Sequence, residues 1–123
     1  MTAHVIYSAY DDRRPATLSP VVVEQVIRGF IGCEAVLLSD DLSMHALSGS
    51  FADRARDSLW AGCDVVLHCN GKMDEMLGVA EGLSPLDDAA QMRLAVAEEK
   101  RRLLPLMNDA QSFVDAWLEE NKA

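Results

Sequence analysis

Apolar residues fall along this chain in two kinds of run. Short, nearly unbroken ones occupy Met1 to Tyr7, Ala35 to Ser39 and Asp64 to Cys69, rich in Val, Ile and Leu with little alternation. Such runs predict strands covered on both faces, as in a parallel sheet. Between them apolar positions recur at helical spacing. Val22, Val23, Val26, Ile27 and Phe30 form overlapping faces behind a Ser19-Pro20 start, and Gly32 ends that helix. A hydroxyl N-cap followed by proline is a helix-initiating pair, and glycine is a common stop. A second helix is predicted over Phe51 to Trp60, with Ala52, Ala55, Leu59 and Trp60 inward, Arg54, Arg56 and Asp57 mostly outward, and Gly62 as its stop. A third starts near Lys72 and carries Met73, Met76, Leu77 and Val79.

The order β-α-β-α-β-α, with strands starting about thirty residues apart, fits parallel βαβ units with right-handed crossovers. Beyond Leu83, helices are predicted over Asp87 to Leu104 and Leu106 to Asn121, separated by Pro105. A parallel sheet of this size leaves unpaired edges. Met1-Thr2-Ala3-His4 resembles the tail of a strand, so the pattern predicts a piece of a larger α/β fold. At 123 residues it makes one small unit: residues 1–85 as βα units and residues 86–123 as C-terminal helices.

Composition narrows the partners. Eleven basic against twenty acidic residues give a net charge of −9, which repels phosphate backbones, so no nucleic acid is expected. No apolar run approaches the roughly 20 residues of a membrane span, so no membrane partner is expected. Cys33, Cys63 and Cys69 are odd in number and follow no signal peptide, which predicts reduced thiols in a cytoplasmic protein. Cys63, His68 and Cys69 lack a CxxC pair or a second nearby histidine, so neither metal nor cofactor is expected.

Candidate chemistry gathers at "VLLSDDLSM", residues 36–44, where an apolar run meets Asp40 and Asp41. In βα architectures, active groups collect where strands end and loops begin. Asn70 after the third run and His4 after the first lie at comparable places. In an extended segment Asp40 and Asp41 point to opposite sides, so one can face a pocket while the other holds the loop. The plainer alternative makes both of them polar turn residues.

The stretch "VIRGFIGCEAVLLSDDLSM" closely resembles the signature of glycoside hydrolase family 3. "MTAHVIY", "RPATLSP" and "AGCDVVLHCNG" resemble its bacterial β-N-acetylglucosaminidase branch, in order and with compatible spacing over most of residues 1–85. The resemblance implies a partial (β/α)8 TIM barrel, about its last three βα units, plus C-terminal helices. It implies a cytoplasmic β-N-acetylhexosaminidase of peptidoglycan recycling that acts on N-acetylglucosamine-containing muropeptides or sugars. Asp40, the first aspartate of the Ser-Asp-x-Leu segment, takes the family's nucleophile position. Retaining hydrolysis through a covalent glycosyl-enzyme follows from that assignment. The resemblance also implies that Leu42 and Met44 take loop positions that line the sugar site; His4, after the first strand, is expected to bind substrate there, and Asp41 to fix the loop.

The chain also departs from the family. Its acid/base histidine, Lys-His pair and arginine belong to segments preceding residue 1. His4, His45 and His68 do not stand in the acid/base loop context. Phe30 replaces a common acidic residue and Ala35 a common glycine. Little turnover is therefore expected of these residues alone. The alternative is a non-catalytic remnant that self-associates through exposed barrel edges or complements an N-terminal fragment. An independent α/β ligand-binding domain leaves the resemblance unexplained. Trp60, Trp117, Met73 and Met76 are expected in the core, Gly71 in a turn, and Arg101-Arg102 on a salt-bridged face with Glu98.

Overall fold

Two parallel strands, β1 (Leu38–Asp41) and β2 (Val65–Leu67), form the sheet. They belong to a computed structural model that describes residues 1–103 and 110–120. A π-helix, Val21–Phe30, precedes β1; α1 (Phe51–Trp60) joins the strands; α2 (Met73–Glu81), α3 (Asp88–Leu103) and α4 (Ala110–Glu120) follow. The crossover β1-α1-β2 is the βαβ unit that the pattern predicts. The expectations for Leu104, Pro105, Leu106 and Asn121 fall outside the described residues.

Local chemistry explains where the helices begin. Ser50 caps α1 reciprocally: its hydroxyl accepts from the Asp53 amide at 3.1 Å, and the Asp53 carboxylate accepts from the Ser50 amide at 3.3 Å. Ser19 accepts from the Val22 amide at 3.2 Å. Past that start the coil is wider than an α-helix, with Ile31 N bonding the Val26 carbonyl five residues back at 2.8 Å. Val22 and Val23 are buried there, whereas Phe30 is 87% exposed and leaves the expected apolar face.

The predicted strand over Met1 to Tyr7 is irregular backbone with a bend at His4. Thr2 N bonds the Leu38 carbonyl at 2.8 Å, which lays the segment beside β1. The Ala3 and Val5 carbonyls then accept from Thr17 and Ala16, diverting the backbone to the 3-10 turn Ala16–Leu18. The second strand is displaced by about three residues from the expected Ala35 to Ser39. Its expected first groups are taken elsewhere: Ala35 O accepts from Arg28, and Leu37 N donates to the Asp64 carboxylate. β1 consequently contains both Asp40 and Asp41.

One core cluster joins Leu42, Leu47, Ala55 and Val79, with Leu18, Phe51 and Val66 against it; a second joins Val23, Leu37 and Ala61. Beneath β2, Asp64 accepts from Leu37 N at 2.7 Å, Arg28 at 2.8 Å and Arg93 at 2.6 Å, linking the π-helix, the sheet and α3. The tryptophans and methionines correct the expectation of core packing. Trp60 is 63% exposed under the Arg14 guanidinium, and Trp117, Met73 and Met76 are exposed too. Arg101 and Arg102 do pair with Glu98 on a solvated face. Among the described residues, no helix is long and apolar enough to cross a membrane.

Candidate functional site

The carboxyl end of β1 is built around a bulge. Leu38 pairs with Val65 and Asp41 with Leu67, so three steps on β1 oppose two on β2. Such an extra residue re-aims the side chains around it. Fully buried Ser39 closes the gap: its hydroxyl accepts from Leu67 N at 2.9 Å and donates to the Asp40 carbonyl at 2.7 Å. The hydroxyl thus stands in for the missing backbone partner.

Asp40 and Asp41 have separate surroundings. The Asp40 carboxylate accepts from the next amide, Asp41 N, at 2.9 Å, and its side chain is partly open to solvent. The Asp41 carboxylate accepts from Ser43 N at 2.9 Å, Ser43 Oγ at 2.6 Å and Cys69 N at 3.1 Å. Asp41 therefore ties its own loop to the end of β2. Burial pushes its carboxyl up, but the bonds from Ser43 and Cys69 and the charge of His68 outweigh burial and hold it below the usual aspartate range.

The neighbouring residues divide into scaffold and surface. His4 Nε2 lies 2.9 Å from the Asp41 carbonyl, which only accepts, so Nε2 is protonated. Its Nδ1 lies 2.9 Å from the Thr17 hydroxyl, so both ring nitrogens are engaged within the fold. Leu42 is fully buried in the core cluster, so its side chain builds the core instead of lining a sugar site. Met44 is 43% exposed and His45 is exposed on the same loop. Arg54, expected to point outward, instead braces that loop. Its guanidinium donates to Leu42 O at 2.7 Å and Gly49 O at 3.2 Å.

At the end of β2, Asn70 accepts from Lys72 N at 2.9 Å and donates to Glu75. Glu75 also pairs with Lys72 at 3.0 Å. Hydrogen bonds from Asn70 first, then Lys72, lower its carboxyl from the usual range. The buried Cys63 thiol lies elsewhere and is pushed up to about 11, chiefly by desolvation. A cavity of about 620 Å3 opens at the amino end of β1 beside Arg28, Ala35, Arg93 and Val96, away from Asp40. Among the described residues no cluster of three or more His, Cys, Asp or Glu is arranged to hold a metal. What the site offers is a carboxylate on a braced ledge, with its neighbour's carboxylate committed to the loop.

The profile of the glycosyl hydrolase family 3 N terminal domain matches residues 1–105. A beta-hexosaminidase of Alkalilimnicola ehrlichii is 44% identical over 96 residues, covering 76% of this chain and 27% of that protein. One of Nitrosospira multiformis is 41% identical over 97 residues, covering 77% and 28%. Among solved structures, native NagZ from Neisseria gonorrhoeae superposes with a TM-score of 0.65 at 33% identity, covering 93% of this chain and 35% of that one. Zn-bound CbsA from Thermotoga neapolitana gives 0.66 at 28% identity, covering 88% and 26%. The chain spans little more than a quarter of the curated relatives named here.

Proposed function

The chain belongs to glycosyl hydrolase family 3, and from that premise we propose that it carries the nucleophile segment of a β-N-acetylhexosaminidase. The observation that carries this reading is Asp40 at the carboxyl end of a parallel strand, on a bulge locked by Ser39, with Asp41 bonded to the loop behind it. Residues 1–85 then correspond to about the last three βα units of a (β/α)8 barrel and residues 86–123 to its C-terminal helices. The substrates are terminal β-N-acetylglucosamine units of muropeptides or related sugars, in cytoplasmic peptidoglycan recycling.

Asp40 attacks the anomeric carbon as its bond to the leaving oxygen breaks, giving a glycosyl-enzyme that water then hydrolyses with net retention. Departure requires a proton on the leaving oxygen. His4 has both nitrogens engaged in the scaffold, and the His68 side chain is enclosed at 6% exposure. His45 is exposed but sits on the loop after β1, without the acid/base setting of the family. The acid therefore comes from another part of the barrel, and the chain by itself turns over negligibly.

The second reading, a non-catalytic remnant, draws on the two-stranded sheet with its open edge and on exposed Phe30 and Ile31. A chromogenic β-N-acetylglucosaminide separates the two. The first reading expects no turnover by the chain, turnover when a family barrel's N-terminal part is supplied, and loss of that turnover in Asp40→Ala. Restored turnover that survives Asp40→Ala would overturn the nucleophile assignment. A chain that self-associates and never complements would favour the remnant.

A further inference from the structure

His68 follows β2 with its side chain 6% exposed, and neither ring nitrogen has a hydrogen-bond partner among the described residues. Two carboxylates flank it. Nδ1 lies 4.0 Å from Asp41 Oδ1 and Nε2 lies 3.6 Å from Glu75 Oε2. A neutral imidazole has one N–H and can satisfy only one such acceptor, whereas an imidazolium has two. We propose that His68 is a positioning residue that takes a proton from solvent and bridges Asp41 to Glu75. The bridge fastens the loop after the Asp40 strand to the first turn of α2.

The surroundings favour that bridge. From β1 His68 faces Asp41, the residue after Asp40, and from α2 it faces Glu75. From α1 the Phe51 ring meets it edge-on at 5.4 Å, and Arg54 of the same helix stacks on Phe51 while donating to loop carbonyls. Lys72 donates to Glu75 Oε1 and Asn70 to Oε2, the oxygen nearest the imidazole, which keeps the carboxylate beside the ring. Each separation exceeds an ordinary charge-assisted bond by about 1 Å, and because the two nitrogens face opposite ways the two carboxylates must close in on the ring when it is protonated. The consequence for Asp40 rests on the nucleophile reading; the bridge itself does not.

The test needs no turnover. The purified chain, 15N-labelled at histidine and on its amides, is followed by long-range imidazole and amide spectra from slightly acid to alkaline pH. His68 is expected to show two protonated nitrogens on the acid side. The Cys69 amide, which donates to Asp41, should shift in step with His68 and not with His45. Glu75→Gln should remove the doubly protonated signature at the pH where wild type shows it, whereas Asn70→Ala keeps the charge and retains it. A bare nitrogen on His68 throughout the folded range would overturn the proposal, and the wild-type spectra decide this even if a variant fails to fold. A Cys69 amide indifferent to His68, or a Glu75→Gln spectrum identical to wild type, would overturn it equally.

Discussion

Replacing Leu42 by alanine tests whether the residue two positions after Asp40 faces a ligand or the core. Its side chain is 0% exposed and packs with Leu47, Ala55 and Val79. Leu42→Ala deletes three carbons, worth about 2.4 kcal/mol at roughly 0.8 kcal/mol per buried methylene. The cavity that remains after incomplete relaxation raises the loss to about 3–4 kcal/mol, within the range for buried leucines. The backbone bond from Leu42 N to Leu67 O, at 2.8 Å, does not depend on the side chain, so β1 keeps its pairing and packing alone is probed. For a chain of this size each kcal/mol lowers Tm by about 4 °C, so a drop of roughly 12–16 °C is expected. Thermal melting by circular dichroism reads it, beside Leu42→Met, which keeps the volume and should lose less than about 1.5 kcal/mol. A Leu42→Ala chain melting within about 2 °C of wild type would show the side chain outside the core and refute the packing argument.

Gly62→Ala places a Cβ 2.8 Å from Val23 Cγ1 at a φ of +107°, so a loss of about 1–3 kcal/mol is expected in urea melts, and an unchanged midpoint would contradict the contact. Timed alkylation read by mass spectrometry should modify exposed Cys69 first and buried Cys63 last, because burial keeps the Cys63 thiol protonated; an early Cys63 adduct would be inconsistent with the fold. The lowered Asp41 carboxyl gives stability that is present above its ordinary value of 3.8 and lost as pH falls through its lower folded value. Urea midpoints taken below about pH 5 should therefore fall less steeply in Asp41→Asn than in wild type, and parallel curves would remove Asp41 from the acid transition.

Local chemistry made some elements legible. Helix α1 runs Phe51–Trp60 as its spacing predicts, because its start is determined by neighbours in sequence: Ser50 caps Asp53 and is capped in return. The placement of Asp40 and Asp41 at the end of an apolar run was equally readable. The bounds of β1 were not, because they depend on Asp64 reaching back 27 positions to take Leu37 N. Nor was the fate of Leu42, which the resemblance put in a loop lining the sugar site and which packs instead with Leu47, Ala55 and Val79 from later segments. Arg54 lies at an outward-seeming helical position, yet the carbonyls it braces come from a loop whose path has no periodic signal. His4 was expected to line the site, but contacts with Thr17 and the Asp41 carbonyl, 13 and 37 positions away, spend both its nitrogens on the scaffold.

The buried hydroxyl of Ser39 also bears on how faithfully the chain folds. In the segment Leu37-Leu38-Ser39-Asp40-Asp41-Leu42, burial of Leu37 and Leu42 already disfavours sliding by one place against β2, which would turn them away from the core. Sliding would bring Leu38 or Asp40 to the position that gives Leu67 N its acceptor and the following carbonyl its donor. Leucine supplies neither function, and a carboxylate there would accept but not donate while being enclosed. The hydroxyl satisfies both groups, so a misaligned pairing also leaves Leu67 N and a neighbouring carbonyl short of a partner. The register that Ser39 supports is the one in which Asp41, and not Asp40, takes the amides of Ser43 and Cys69.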